Sequence, residues 1–127
     1  MIKVEFRFLF DYNDFKVRFM KFFIKAEDIK NIIKSKQACI VSNKILIDGK
    51  KVGYMYREEP SKNFNDSGWR FFAGDEDDGY CENSENFNIV ELNTLANYDA
   101  DTIKLLDAEV GASFEKDNGG KFKEIKK

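Results

Sequence analysis

Apolar and polar residues alternate strictly through "IKVEFRFLF". Ile2, Val4, Phe6, Phe8 and Phe10 fall on one face, and Lys3, Glu5 and Arg7 on the other. A period of two marks a half-buried strand. "DYND" has turn chemistry, and Phe15, Val17 and Phe19 resume the alternation, so residues 2–23 predict a β-hairpin. The period then changes. "KAEDIKNIIKSK" sets Ile29, Ile32 and Ile33 at i, i+3 and i+4, with acids early and lysines late. That pattern predicts an amphipathic helix over about residues 26–35.

"ACIVS" predicts a short apolar strand, and "KILIDGKKVGYMYRE" a hairpin turning at Asp48-Gly49. In its second arm Val52, Tyr54 and Tyr56 share one face, while Gly53 and Met55 take the other. A glycine inside a strand marks a bulge or a close backbone approach. "EPSKNFNDSG" reads as a connecting loop, with Ser67 a turn residue, and "WRFFAG" as a strand with Trp69 and Phe71 opposite Arg70 and Phe72. "FNIVELN" returns to strand character; Asn93 is a candidate cap for a turn through "TLANY", and Asp101 a candidate N-cap for "TIKLLD". "DNGGKFKEIKK" reads as a frayed basic tail over residues 118–127. The fold class is α+β: a mostly antiparallel sheet with one amphipathic helix and one or two short C-terminal helices. With 127 residues and no dividing linker, a single domain is expected, able to bury a core without metal or disulfide.

Composition narrows the chemistry. The chain has no histidine, which removes Ser-His-Asp and Cys-His catalysis and His-ligated zinc. The prior for catalysis falls, and no catalytic or metal-ligating residue and no cofactor is assigned. Net charge is −2, which gives no bulk attraction to nucleic acid or to an anionic membrane. The charge is unevenly spread: residues 1–56 carry +6, residues 57–85 carry −6 and residues 86–127 carry −2. Glu5, Arg7 and Asp11 interrupt any signal-peptide core, and no window approaches a membrane span. Cys39 and Cys81 make no disulfide framework, so a reduced, cytoplasmic setting is expected.

The acidic block centres on "SGWRFFAGDEDDGY", where the only tryptophan and two phenylalanines run into Asp75, Glu76, Asp77 and Asp78. An EF-hand register fails: counting from Asp75 puts Tyr80 where glycine is needed, and counting from Gly74 loses the first ligand. Contiguous exposed carboxylates see similar water, so they do not split into an acid and a base. Cys81, among Asp78, Glu82 and Glu85, reads as an inert surface thiol. Tyr54, Tyr56, Trp69, Phe71 and Phe72 lack the basic neighbours a nucleic-acid stacking platform needs, and read as core and adjoining surface of one sheet.

"VGYMYREEP", "SGWRFFAGDED" and "ELNTLANYDADTIKLLDAEVGASFEK" resemble a bacterial family first filed as a domain of unknown function, immunity protein family 33 of polymorphic toxin systems. The resemblance covers about residues 37–117, leaving the hairpin and helix of residues 1–36 outside it. It implies a non-enzymatic binder that neutralises a partner toxin, and it supplies no active-site residues. Acids beside aromatics suit a partner with a basic cleft, such as a nuclease. The candidate contact residues are Trp69, Arg70, Asp75, Glu76, Asp77, Asp78 and Tyr80, with the aromatics anchoring a strand and the acidic loop projecting into solvent. Two other readings stay open. One is a small-molecule or metal sensor in which Arg57 and Arg70, beside Tyr54 and Tyr56, grip an anion. The other is a carboxylate- and metal-dependent enzyme. Glu58, Glu59, Arg57 and Arg70 equally suit plain cross-strand pairing.

Overall fold

The computed structural model describes residues 21–126, so all but the end of the hairpin predicted over residues 2–23 lies outside the described residues. Among the described residues six strands form one sheet: β1 (Ala38–Ser42), β2 (Tyr54–Arg57), β3 (Asp66–Phe72), β4 (Phe87–Glu91), β5 (Ser113–Lys116) and β6 (Phe122–Glu124). Their order is β4-β1-β3-β2-β5-β6, and β1 and β3 run parallel while every other neighbouring pair is antiparallel. Three short helices join them: α1 (Asn43–Leu46), α2 (Asp78–Glu82) and α3 (Leu92–Tyr98). The α+β class with a mostly antiparallel sheet is the one the pattern predicts.

Every residue of the central strand β3 is buried, and its alternation sends side chains into two separate layers. Trp69 and Phe71 enter the larger one, with Cys39, Val41 and Met55 from neighbouring strands, Ile45 and Leu46 from α1, and Leu92, Leu95 and Tyr98 from α3. Phe72 faces the other way, into a smaller cluster with Ile40, Cys81 and Phe87, flanked by Tyr54, Tyr56 and Tyr80. The predicted partition of "WRFF" holds, and the aromatics are core and adjoining surface. Trp69 is fully enclosed: its indole N–H donates to the Leu106 carbonyl at 3.0 Å, and the Arg57 guanidinium lies over its ring.

Local chemistry overrides the periodicity in several places. Of the helix predicted over residues 26–35, only a 3₁₀ turn at Ala26–Asp28 forms. A short helix is marginal without tertiary support. Here side chains of α3 take the backbone groups of Lys30, Ile32 and Ile33 that helical bonds would need. The first arm of the predicted Asp48-Gly49 hairpin is instead α1, N-capped by Ser42, whose hydroxyl accepts from Lys44 N–H. Gly49 (φ +79°) then ends the helix, its N–H donating to the Ile45 carbonyl. Val52 does not share a face with Tyr54 and Tyr56. The Asp99 carboxylate accepts its N–H at 3.1 Å before β2 begins, and Val52 packs in the larger core with Met55. At Gly53 the close approach is real, because a Cβ there would overlap the Ala73 carbonyl oxygen.

β3 begins at Asp66, so Ser67 is a buried strand residue and not part of a loop. Asn93 lies inside α3, whose N-cap is Glu91, and the next turn, Ala100–Leu105, is capped by Asp99 and not Asp101. The C-terminal segment is not frayed. Asp117 Oδ1 accepts from the N–H groups of Gly119 and Lys121, folding the chain back so that β6 pairs with β5. No helix among the described residues is long and apolar enough to cross a membrane.

Candidate functional site

The acidic run leaves β3 through Ala73 and Gly74, and its four carboxylates go to different places. Glu76 turns inward. It is 3 % exposed, and its carboxylate accepts from the N–H groups of Ala73 at 2.8 Å and Gly74 at 2.9 Å. A charged acceptor on two main-chain donors ties the turn to the strand that precedes it. The contiguous exposed run expected from the sequence is therefore broken at its second residue.

Asp75 lies on the surface between two lysines, 3.2 Å from Lys44 Nζ and 2.8 Å from Lys50 Nζ. The Lys50 bond, together with the Lys44 contact, holds the Asp75 carboxyl below its ordinary range, and the same bond raises Lys50. Asp77 is the N-cap of α2, its Oδ1 accepting from Tyr80 N–H at 2.8 Å while the residue itself stays exposed. Asp78, Glu82 and Glu85 are exposed too. Glu82 and Glu85 complete the charged surface and were legible in the sequence as the end of the −6 block.

Tyr80 sits at the border between this surface and the smaller core. Its ring meets Phe87 edge-on, which meets Phe72 in the same way, both at 5.7 Å between centroids. Asn86 closes the connection by donating to the Tyr80 carbonyl at 2.9 Å, and Lys44 Nζ lies 5.1 Å from the Tyr80 ring centre. Burial raises the Tyr80 hydroxyl above its usual value. Cys81 is buried, not a surface thiol as the sequence suggested; burial and the fields of Glu76, Asp78 and Asp77 push it up to about 11. Its suppressed reactivity has desolvation as the leading cause.

Trp69 and Arg70 offer no contact surface. Trp69 is fully buried, and Arg70 (3 % exposed) binds Asp66 through Nη2 at 2.8 Å and Nη1 at 2.9 Å and Glu58 through Nε. Arg57 is committed as well, with Nε on the Ser67 carbonyl and Nη1 on the Ala108 carbonyl at 2.7 Å. The guanidinium groups that an anion sensor would use are thus engaged inside the protein. Of the cross-strand pairs suggested by the sequence, Arg70–Glu58 forms. The carboxylates at 75–78 diverge onto lysines, main-chain amides and a helix cap. Among the described residues no three His, Cys, Asp or Glu side chains gather into a metal-holding group.

The site therefore consists of a pinned turn, an exposed acidic edge from Asp77 to Glu85, and one half-buried tyrosine. No curated protein and no solved structure matches the chain. The sequence matches the family model of the Immunity protein Imm33 domain over residues 39–126, which extends the shared region beyond residue 117 and through β6. That match takes in all six described strands except the first residue of β1, together with the acidic turn, and the chain belongs to the Imm33 immunity protein family.

Proposed function

We propose that this protein neutralises a partner toxin by binding it, with the acidic edge around Asp77, Asp78, Glu82 and Glu85 and the ring of Tyr80 as contact surface. The observation that carries this reading is membership of the immunity family, joined to a turn whose inner carboxylate is bonded to the backbone while its outer ones face solvent. A preformed charged edge costs little ordering on binding, and its field accelerates encounter with a cationic partner. The partner is accordingly a toxin with a basic cleft, and the mode of action is occlusion without turnover. Asp75 contributes less than its neighbours, because Lys44 and Lys50 offset its charge.

Co-expression with toxin domains encoded in adjacent reading frames tests the reading. The wild-type chain is expected to restore growth and to co-purify with one such domain. The quadruple variant Asp77→Asn, Asp78→Asn, Glu82→Gln, Glu85→Gln is expected to fold and to lose both. Full rescue by that variant would move the interface elsewhere; rescue of none of the toxins by the wild type would remove the toxin-neutralising reading.

A further inference from the structure

Residues 21–37 lie outside the family match, run across the face of α3 without regular secondary structure apart from one 3₁₀ turn, and are held by an unusual set of bonds. Asn93 Oδ1 accepts from Ile32 N–H at 2.7 Å and from Ile33 N–H at 3.1 Å, while its Nδ2 donates to the Lys30 carbonyl at 2.8 Å. One turn later, Asn97 Oδ1 accepts from Lys30 N–H at 3.0 Å and its Nδ2 donates to the same Lys30 carbonyl at 2.9 Å. The Tyr98 hydroxyl accepts from Ile24 N–H at 2.9 Å and donates to the Leu46 carbonyl. Apart from the Tyr98–Leu46 bond, which reaches α1, every one of these bonds is made to main chain on the crossing segment. None reads a side chain.

A side-chain amide that both donates and accepts pairs with the N–H and C=O groups of the peptide lying against it, and such contacts take main chain almost irrespective of sequence. Specificity comes from pockets, and here Phe22, Ile24 and Ile33 supply the apolar contacts with the larger core, while Phe23 and Ile32 remain 65 % and 45 % exposed. The crossing segment buries little: its residues are exposed or half-buried throughout. The receiving groups, by contrast, stand on α3, whose Leu92, Leu95 and Tyr98 pack into the larger core, so they belong to the better-packed part of the protein. A weakly buried segment on a better-packed receptor is the arrangement that opens in its own step, ahead of global unfolding.

We propose that Asn93, Asn97 and Tyr98 form a groove for main chain, which residues 22–33 fill as a tethered, exchangeable strap. The occupant is this chain's own segment, and an added copy of it takes the strap's place once the strap is loosened. This does not depend on the acidic edge or on the toxin-neutralising reading. The tether gives the strap an effective concentration on the order of millimolar, so an outside peptide binds wild-type protein far more weakly than protein with a loosened strap.

Two measurements on the full-length chain test it. In native-state hydrogen exchange, the amides of Ile24, Lys30, Ile32 and Ile33 are expected to exchange at least about 100-fold faster than those of β1 and β3. Exchange of both sets at one rate would overturn the proposal. In the second, a fluorescent peptide spanning residues 21–36 is titrated by anisotropy against wild type and against the Ile24→Ser, Ile33→Ser variant. Saturable binding at least about tenfold tighter to the loosened variant is expected, weakened again by adding Asn97→Ala. Asn97 is only half-buried, so its truncation leaves the fold standing even where Asn93→Ala does not. Absence of binding to the loosened variant, or binding indifferent to Asn97→Ala, would overturn the groove.

Discussion

Two clusters of charge sit a few residues apart, at opposite ends of β3. At the start of the strand, Asp66 is enclosed by the Arg70 guanidinium and by the N–H groups of Ser61 and Gly68, with Glu58 on the far side of Arg70. Just past its end, Asp75, Glu76, Asp77 and Asp78 spread out from the turn, and only Glu76 is enclosed. In the sequence the two look alike, acids beside aromatics and glycine. What separates them is how the charge is satisfied. A carboxylate whose lone pairs are all taken by protein donors stabilises the protein. One that keeps its face to water remains available to a partner.

The sharpest way to break the comparison is to remove Arg70. Arg70→Met leaves Asp66 as a buried charge without its counter-ion, and about 3–5 kcal/mol of stability is expected to be lost, read as a shift of the urea midpoint. Next comes Glu76→Gln, which keeps the shape but loses the charge on two main-chain bonds. A loss of about 1–3 kcal/mol is expected, with α2 and the turn showing the largest gain in hydrogen exchange. If Glu76→Gln is silent, the turn is not held as described.

Acid pH separates the clusters in another way. Burial alone would raise Asp66, but its bonds to Arg70, Ser61 and Gly68 win and hold the carboxyl below its ordinary value. A group whose folded value is depressed adds stability that is present above its unfolded value, about 3.9, and is lost as pH falls through the folded one. The urea midpoint is therefore expected to hold down to about pH 5 and to fall below about pH 4. In Arg70→Met this fall is expected to shrink, since the depression of Asp66 has lost its main cause. The smallest stability effect belongs to Asp77→Asn with Asp78→Asn. Asparagine still caps α2, and exposed substitutions away from special features stay within about 0.5 kcal/mol.

The sheet was legible because β-branched and aromatic residues alternate where it forms. "ACIVS", "GYMYR" and "FNIVE" sit under β1, β2 and β4, and the two-sided character of "WRFF" followed from period two alone. What stayed hidden depends on partners far away in sequence. Ile29, Ile32 and Ile33 have helical spacing, but Asn93 and Asn97, some sixty residues later, take up the backbone groups that a helix would need. Glu76 looks like its acidic neighbours, and only the folded position of the Ala73 and Gly74 amides turns it inward. Arg70 reads in the sequence as a contact residue, because nothing local announces that Asp66 and Glu58 already hold it. Asp117 within "KDNGGK" did carry a signal: an Asx turn followed by alternating "KFKE" predicts a closing hairpin better than a loose end.

The central claim is that the outward carboxylates beside Tyr80 meet a cationic partner while the inward ones hold the scaffold. The most direct measurement is the affinity of the co-purifying toxin domain for wild type and for Asp77→Asn, Asp78→Asn at low and high salt, with the urea midpoint of each chain determined alongside. The account predicts matching midpoints, binding weakened about tenfold at low salt, and a flatter dependence on ionic strength. Equal affinities with equal salt slopes in the two chains would contradict it.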